Sequence, residues 1–327
     1  MRNYIIRRLL MLIPTLLLVT LVIFFVVRLI PGDIIDAMLA VPGAWDMVID
    51  RAVLEQELGL DAPALVQYGR WMGVVPQGDG GLSGIFQGNL GASWWLRMSV
   101  VELVALKWPV TFELGIIGLI ISQLIALPIG IYSALRQDTG GDYIARTFAI
   151  LCISIPGFWL GTMVIVMPAI WWDHMPPIML IHFTEEPIGN LKMFIVPAIV
   201  LGMEIAGGTM RITRTMMLEV LRQDYIRTAW AKGLRERVVV MRHALKNALI
   251  PVVSMIGLQV PILIGGTIII ENIFCLPGMG RLITNALLDR DKPLLCGVVL
   301  VFAVVLVLIN LMVDLTYAYL DPRIRYK

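Results

Sequence analysis

Charged side chains are scarce in this chain: Lys, Arg, Asp and Glu make up 15% of its 327 residues, against about 25% in a soluble domain. That scarcity argues against water as the solvent for most of the chain. The 26 basic and 24 acidic residues leave a net charge of +2, too small an excess to point to a nucleic-acid partner. Cysteine is nearly absent, and the three present, Cys152, Cys275 and Cys296, are too few and too widely spaced for a disulfide framework or a zinc site. Cys275 and Cys296 can face the same outer side and pair, or serve as small apolar residues beside helix ends. His174 and His182 share one expected outer loop but lack the carboxylate or cysteine pattern of a metal site. No Gly-x-x-x-x-Gly-Lys-Ser/Thr phosphate loop occurs, so nucleotide hydrolysis has no motif here. Internal repeats and low-complexity tracts are also missing.

What the chain has instead is apolar length. Hydrophobic residues make up 58% of it, and the mean hydropathy is +0.84. Crossing the hydrocarbon core takes roughly 20 apolar residues at about 1.5 Å each. Six stretches qualify: Leu9–Ile30, Phe112–Leu135, Ile144–Trp171, Phe194–Ile212, Ala248–Ile270 and Leu294–Tyr317. In lipid the backbone must satisfy its own hydrogen bonds, so runs of this length are expected to be helices. The expected fold is an all-α integral membrane protein with six transmembrane helices. The first run is too long for a secretory signal, and Leu29-Ile30-Pro31-Gly32-Asp33 offers no small-residue cleavage site, so it reads as a retained helix.

Basic residues set the orientation. With six spans, one side carries 17 of the 26 Lys and Arg residues, nine of them between Arg211 and Lys246. That side is expected to be cytoplasmic and to hold both termini. Two parts follow: 1–107, a transmembrane helix plus an extracytoplasmic segment, and 108–327, a five-helix core containing the cytoplasmic loop 213–247. In the outer segment, Asp46 is placed to cap a helix running to Leu58, with Gly59 ending it. Asp61 is placed to cap a second helix with Pro63 in its first turn. The glycine-rich run Gly78–Ser93 reads as a loop, and Pro176, Pro177 and Pro187 break the segment between Trp172 and Met193.

The basic loop predicts a helix from about Thr213 through Lys232, ended by Gly233, and a second short helix from Arg235 to about Leu249. Small residues at Ala229 and Ala231 would let another backbone approach closely, and the cationic rim suits an acidic partner or lipid headgroups. The same residues also satisfy the simpler description of a basic loop obeying the positive-inside rule.

Here the sequence resembles a known family. Tyr225 to Pro251 looks like the cytoplasmic EAA loop of binding-protein-dependent ABC permeases, in the form found in peptide permeases. Tyr4-Ile5-Ile6-Arg7-Arg8-Leu9-Leu10, Arg28-Leu29-Ile30-Pro31-Gly32-Asp33, Leu58-Gly59-Leu60-Asp61-Ala62-Pro63 and Gly88-Asn89-Leu90-Gly91-Ala92-Ser93 resemble the dipeptide, oligopeptide and nickel permease subunits. Glu271-Asn272-Ile273-Phe274, Pro277-Gly278-Met279-Gly280-Arg281, Arg290-Asp291-Lys292-Pro293 and Tyr319-Leu320-Asp321-Pro322-Arg323-Ile324 continue the resemblance to the end of the chain. It implies the type I importer permease (MetI-like) fold and residence in a prokaryotic inner membrane. It also implies four partners: a second similar permease, two cytoplasmic ATPase subunits that bind ATP and Mg, and an extracytoplasmic binding protein. No cofactor would belong to this chain. Arg227, Thr228 and Ala229 fall where the family has Glu-Ala-Ala, and Gly233 takes its glycine. His243 and Leu245 take the later apolar pair, while Lys246 stands where many permeases have proline. The coupling loop so implied uses Arg227, Thr228, Ala229, Lys232, Gly233, His243 and Leu245. Peptides are the implied cargo, with nickel chelates and oligosaccharides as alternatives.

Ionisable groups within spans are costly and usually face protein or water. Glu204, mid-way along the fourth span, can face the pore and meet a substrate amine, or pack between helices. Gln259 and Gln123 are candidate pore-lining residues that equally suit interhelical hydrogen bonding. Glu113 and Glu271 lie near outer helix ends, where snorkelling is expected. A proton-coupled secondary transporter using Glu204 would require inverted repeats, which are not found. An intramembrane enzyme would require paired catalytic groups, which no span supplies. Trp71, Trp94 and Trp95 suit either a membrane interface or a docked binding protein.

Overall fold

The computed structural model describes residues 2–32, 35, 51, 55, 59–78, 80–173 and 180–320. Its helices are α1 (Arg2–Arg28), α2 (Ala64–Met72), α3 (Val100–Leu135), α4 (Gly140–Ser154), α5 (Gly157–Trp172), α6 (Pro187–Leu221), α7 (Asp224–Ala231), α8 (Leu245–Ile273), α9 (Met279–Leu288) and α10 (Lys292–Leu320). A single turn, Glu236–Val238, and a π-helical stretch, Val239–Ala244, lead into α8. The described residues contain no β-strand, only an isolated bridge between Ala92 and Ser99. The helix expected between Asp46 and Leu58, His174 with Pro176 and Pro177, and the final Asp321-Pro322-Arg323-Ile324 lie outside the described residues.

Among the described residues five helices are long and apolar enough to cross a membrane: Ile6–Arg28, Val100–Leu135, Pro187–Leu221, Glu236–Ile273 and Lys292–Leu315. The third expected span is not one straight helix. It is the pair α4 and α5, bent by 94°, and counting this pair as one span gives six. The break has a local cause. Pro156 disfavours helical geometry in the residue before it, and Ile155 is accordingly extended, at φ −85° and ψ 118°.

The chain forms two compact units, Met1–Pro109 with Gly278–Leu308, and Val110–Pro277 with Ile309–Lys327. In the first, α2 lies on α1 through aromatic contact: the Trp71 ring stacks on Phe24 at 5.8 Å, and Tyr68 meets Phe24 edge-on at 5.3 Å. Thr20 and the Tyr68 hydroxyl share a hydrogen bond of 2.9 Å. Pro63, not Asp61, occupies the N-cap of α2, and Gln67 Nε2 instead donates to the carbonyls of Leu60 and Ala62.

Asp291 starts α10 as its N-cap. Its Oδ1 accepts from the Leu294 amide at 3.2 Å, and its Oδ2 accepts from Ser93 Oγ at 2.6 Å and the Trp94 amide at 3.0 Å. One carboxylate thus satisfies an orphan helix donor and pins the 93–94 turn, 198 residues away in sequence. Burial pushes the carboxyl above its ordinary range, while the hydrogen bonds from Ser93, Leu294, Trp95 and Trp94 draw it back.

In the second unit α6 is the central helix, with 67% of its most apolar window buried. Phe194, Ala198, Val200, Leu201 and Ile205 form a core with Leu114, Leu263, Ile270 and Phe274. Two glycines let α6 approach its neighbours closely. A Cβ at Gly202 would lie 2.7 Å from the Gly118 carbonyl of α3, and one at Gly207 would lie 2.7 Å from the Ala149 carbonyl of α4. Small residues at such crossings are the usual basis of helix packing in lipid, where helices gain little from hydrophobicity.

Asp291→Asn should lower stability by about 1–3 kcal/mol, because an amide nitrogen would face N–H donors that now meet a carboxylate. Thermal unfolding of the detergent-solubilised chain measures this, and Ser93→Ala should cost less.

Candidate functional site: the basic loop and its anchorage

The 213–247 segment is organised differently from the two-helix expectation. The helix from the membrane, α6, runs on to Leu221 without a break, and the chain then turns at Arg222 and Gln223. Helix α7 begins at Asp224 with Gln223 extended at its N-cap. No side-chain cap bond is made at Gln223, so the start of α7 is set by the extended backbone there. Gly233 ends the element as expected, with φ at +73°. A Cβ there would meet nothing within 4 Å, so the requirement for glycine lies in the backbone alone.

Helix α7 is amphipathic and rests on its own protein. Ile226 and Ala229 are buried in a core with Ala134 of α3, Met217 of α6, Val239, Val240 and Ala244 of the π-helical stretch, and Ala248 of α8. Ala229 therefore does not offer a small outer surface, as the sequence pattern suggested. Its size is required by the packing beneath α7. The Asn247 side chain donates to the Tyr225 hydroxyl at 2.9 Å, tying α7 to α8. The outer face carries Arg227, Thr228, Lys232 and Gly233, all exposed, with His243 and Leu245 half-buried. Thr228 Oγ1 donates back to the Asp224 carbonyl, and Arg227 makes only an exposed 3.4 Å contact with Asp224, a pair of small energetic weight. Beside them Trp230, Leu234, Val238 and Met241 are exposed to 44%, 36%, 38% and 57%. These bulky apolar residues were missed as surface features, although three of them fall between Lys232 and Arg242, among charges rather than within an apolar span.

Beneath the loop lies an ion pair with no counterpart in the sequence reading. Asp142, at the start of α4, is fully buried and takes Arg214 of α6 in a bidentate pair, Nε to Oδ1 and Nη2 to Oδ2, both at 2.9 Å. Ser133 of α3 donates to Oδ1 at 2.5 Å, and the Asp138 amide donates to Oδ2 at 3.0 Å. Arg146 lies 3.4 Å from the same carboxylate. One acidic group thus joins three helices below the knob. The cue available was an Asp three residues after Thr139 in a basic turn, but nothing in sequence links it to an arginine 72 positions on.

The residues singled out inside the spans separate. Glu204 is exposed and lines a cavity of about 150 Å³ with Cys152, Gly157, Leu160 and Met203. Gln259 is buried and accepts from Thr209 Oγ1 at 3.0 Å, so it joins α8 to α6. Gln123 donates weakly to Ser122 at 3.3 Å, and its Oε1 is buried without a hydrogen-bond partner among the described residues. Neither glutamine lines the Glu204 cavity. Glu271 does not snorkel: it is fully buried and accepts from Thr111 Oγ1 at 2.6 Å. Among the described residues no group of His, Cys, Asp and Glu is placed to hold a metal ion, and none of the three cysteines forms a disulfide.

The described helices make a membrane protein with a packed central span and an amphipathic segment between two long apolar helices. The solved structure of an amino acid ABC transporter with histidines has the same fold, at a TM-score of 0.53 and 11% identity, covering 67% of this chain and 94% of that one. The sequence belongs to the family described as binding-protein-dependent transport system inner membrane component, which it matches over residues 126–326, with the family's N-terminal region matched over 1–115. It is 36% identical over 326 residues to a protein named as a peptide transport system permease of Brucella abortus (strain 2308), with 100% of each chain covered. It is 38% identical over 327 residues to the glutathione transport system permease protein GsiC of Pectobacterium atrosepticum, again with 100% of each covered. The chain is thus a multi-pass inner-membrane component of a transport system.

Asp142→Asn should cost roughly 3–5 kcal/mol, because Arg214 would keep a poorly solvated charge without its counter-ion. Arg214→Lys, which cannot form the fork, should fall between the wild type and that variant. Thermal unfolding in detergent ranks the three.

Proposed function

We propose that this chain is the permease subunit of an ATP-driven, binding-protein-dependent importer of peptides, and that α7 with its flanking turns is the surface through which ATPase subunits move the spans. In this reading the chain is not itself an enzyme. Two cytoplasmic ATPase subunits bind ATP and Mg and hydrolyse the nucleotide, a second similar permease completes the pore, and an extracytoplasmic binding protein delivers cargo. Two relatives that cover the whole chain are named for peptide and glutathione transport, which favours peptides over nickel chelates or oligosaccharides.

The observation that carries the coupling role is the two-faced character of α7. Its inner face is packed into side chains of α3, α6 and α8. Its outer face pairs exposed Arg227 and Lys232 with exposed Trp230 and Leu234. A basic loop serving only to orient the chain needs charge. It does not need bulky apolar side chains exposed beside those charges, and their grouping on one face supports a contact surface. ATP-dependent closure of the partners would load α7, and the packed face would pass that load to the spans. Net movement requires that partners and cargo bind the two states of the pore with different affinities. Glu204, the one acidic group on its cavity, is the candidate for meeting a peptide amine.

In proteoliposomes holding the complete transporter, uptake should require ATP and binding protein. Gly233→Val should reduce uptake at least tenfold with membrane insertion unchanged, since a β-branched residue resists positive φ. Gly233→Asn should retain much more, because Asn tolerates that region. Trp230→Ala should uncouple ATP hydrolysis from uptake. Uphill uptake by this subunit alone, without ATPase partners, would overturn the proposal.

A further inference from the structure

A second site lies within the unit formed by Met1–Pro109 and Gly278–Leu308, away from the basic loop in sequence. It is a pocket of about 360 Å³ between the end of α1, helix α2, the 91–94 turn and the start of α10. Its apolar wall includes Phe24, Val27 and Trp71, with Cys296 from the first turns of α10. Three cations also line it, Arg28 at the last position of α1, Arg70 of α2 and Lys292 at the first position of α10. Among its described lining residues none is acidic. Asp291, next to Lys292, is already committed to Ser93, Trp94 and Leu294.

Two hydrogen-bond donors of this lining, Arg70 Nε and Trp71 Nε1, are buried without a partner among the described residues. Buried donors are ordinarily paired, and each unpaired one points to a missing partner. The surrounding walls are held in place. Gln77 Nε2 donates to the Arg70 and Ser83 carbonyls at 3.2 and 2.7 Å, and the Arg28 guanidinium lies 5.1 Å over the Phe24 ring. Arg28 ends the apolar stretch Ile6–Arg28 and Lys292 opens Lys292–Leu315, so these two cations fall at the ends of the stretches to which Phe24, Val27 and Cys296 belong.

From this we infer that the pocket binds one anionic phospholipid, its phosphodiester among Arg28, Arg70 and Lys292 and part of an acyl chain against Phe24, Val27 and Cys296. The complement of an apolar wall whose described charges are all cationic is an anion with an apolar tail. A bilayer supplies that ligand at high local concentration. Basic pockets at membrane boundaries select anionic headgroups by the same charge logic. A zwitterionic lipid offers the same tail but sets its own cation against the three on the protein.

The test uses the full chain, purified in detergent and offered equimolar phosphatidylglycerol and phosphatidylcholine of the same acyl composition, with retained lipid counted by native mass spectrometry. The unmodified chain should retain phosphatidylglycerol at least fivefold over phosphatidylcholine. Arg70→Gln and Lys292→Gln should each lower that ratio severalfold and remove one bound phosphatidylglycerol, while Arg235→Gln, an exposed residue of the basic loop, should leave the pocket's lipid in place. Cooperative unfolding of each variant confirms that it is folded, and the selectivity of the unmodified chain stands as a measurement independent of any substitution. Equal retention of the two lipids by the unmodified chain would overturn the inference. So would an unchanged ratio in a folded Lys292→Gln or Arg70→Gln variant. Displacement of phosphatidylglycerol by millimolar inorganic phosphate would assign the site to a free anion and would also overturn it.

Discussion

Hydrocarbon offers no partner to a peptide N–H or C=O, and each unsatisfied group there costs several kcal/mol. Nearly everything in this molecule follows from that constraint. It makes the long apolar runs helical, and it removes the hydrophobic effect as a force between them. Packing must then come from close approach, as at Gly202 and Gly207, and from a few polar joints. The joints are concentrated where they act: Thr209 with Gln259 inside the second unit, Thr111 with Glu271 near one end of its spans, and Asp142 with Arg214 near the other.

Those joints differ in strength along the second unit. The Asp142 cluster ties three helices with hydrogen bonds of 2.5 to 3.0 Å. Directly above it, α7 is held by side chains of only modest size, Ile226 and Ala229 against Met217, Val240 and Ala248. The firmer joint thus lies among α3, α4 and α6, and the lighter one holds α7. Helix termini carry the same arrangement in the first unit, where a single Asp291 carboxylate both opens α10 and pins the 93–94 turn.

What could be read from the sequence was whatever depended on composition and local chemistry. Apolar runs revealed the spans, and Gly233 announced a turn that only positive φ could make. Pro156 stands inside the apolar run from Ile144 to Trp171, whose length alone marks it as a span, and the 94° bend falls beside it. The long helix expected from Thr213 overlooked the turn at Arg222 and Gln223, because neither residue is a strong breaker and the helical periodicity continues on both sides. The direction of Ala229 could not be read at all. A small residue on an amphipathic helix suits an outer contact and an inner crossing equally well, and only the neighbours Met217 and Ala248 decide between them. Pairs far apart in sequence, such as Asp142 with Arg214 and Ser93 with Asp291, leave no trace in one chain read alone.

The π-helical stretch between Val239 and Ala244 has its own consequence for how this region can vary. Each i→i+5 bond encloses one more residue than an α-turn does. The stretch therefore holds slack in the winding of the helix, and it sets the helical phase of α8 relative to the turn that precedes it. Loss of a single residue there would tighten the coil to ordinary α-winding and leave the faces on either side aligned as they are now. The same loss a few turns further on would swing every later side chain of the span by about 100°, carrying Gln259 and Glu271 away from the partners they now meet.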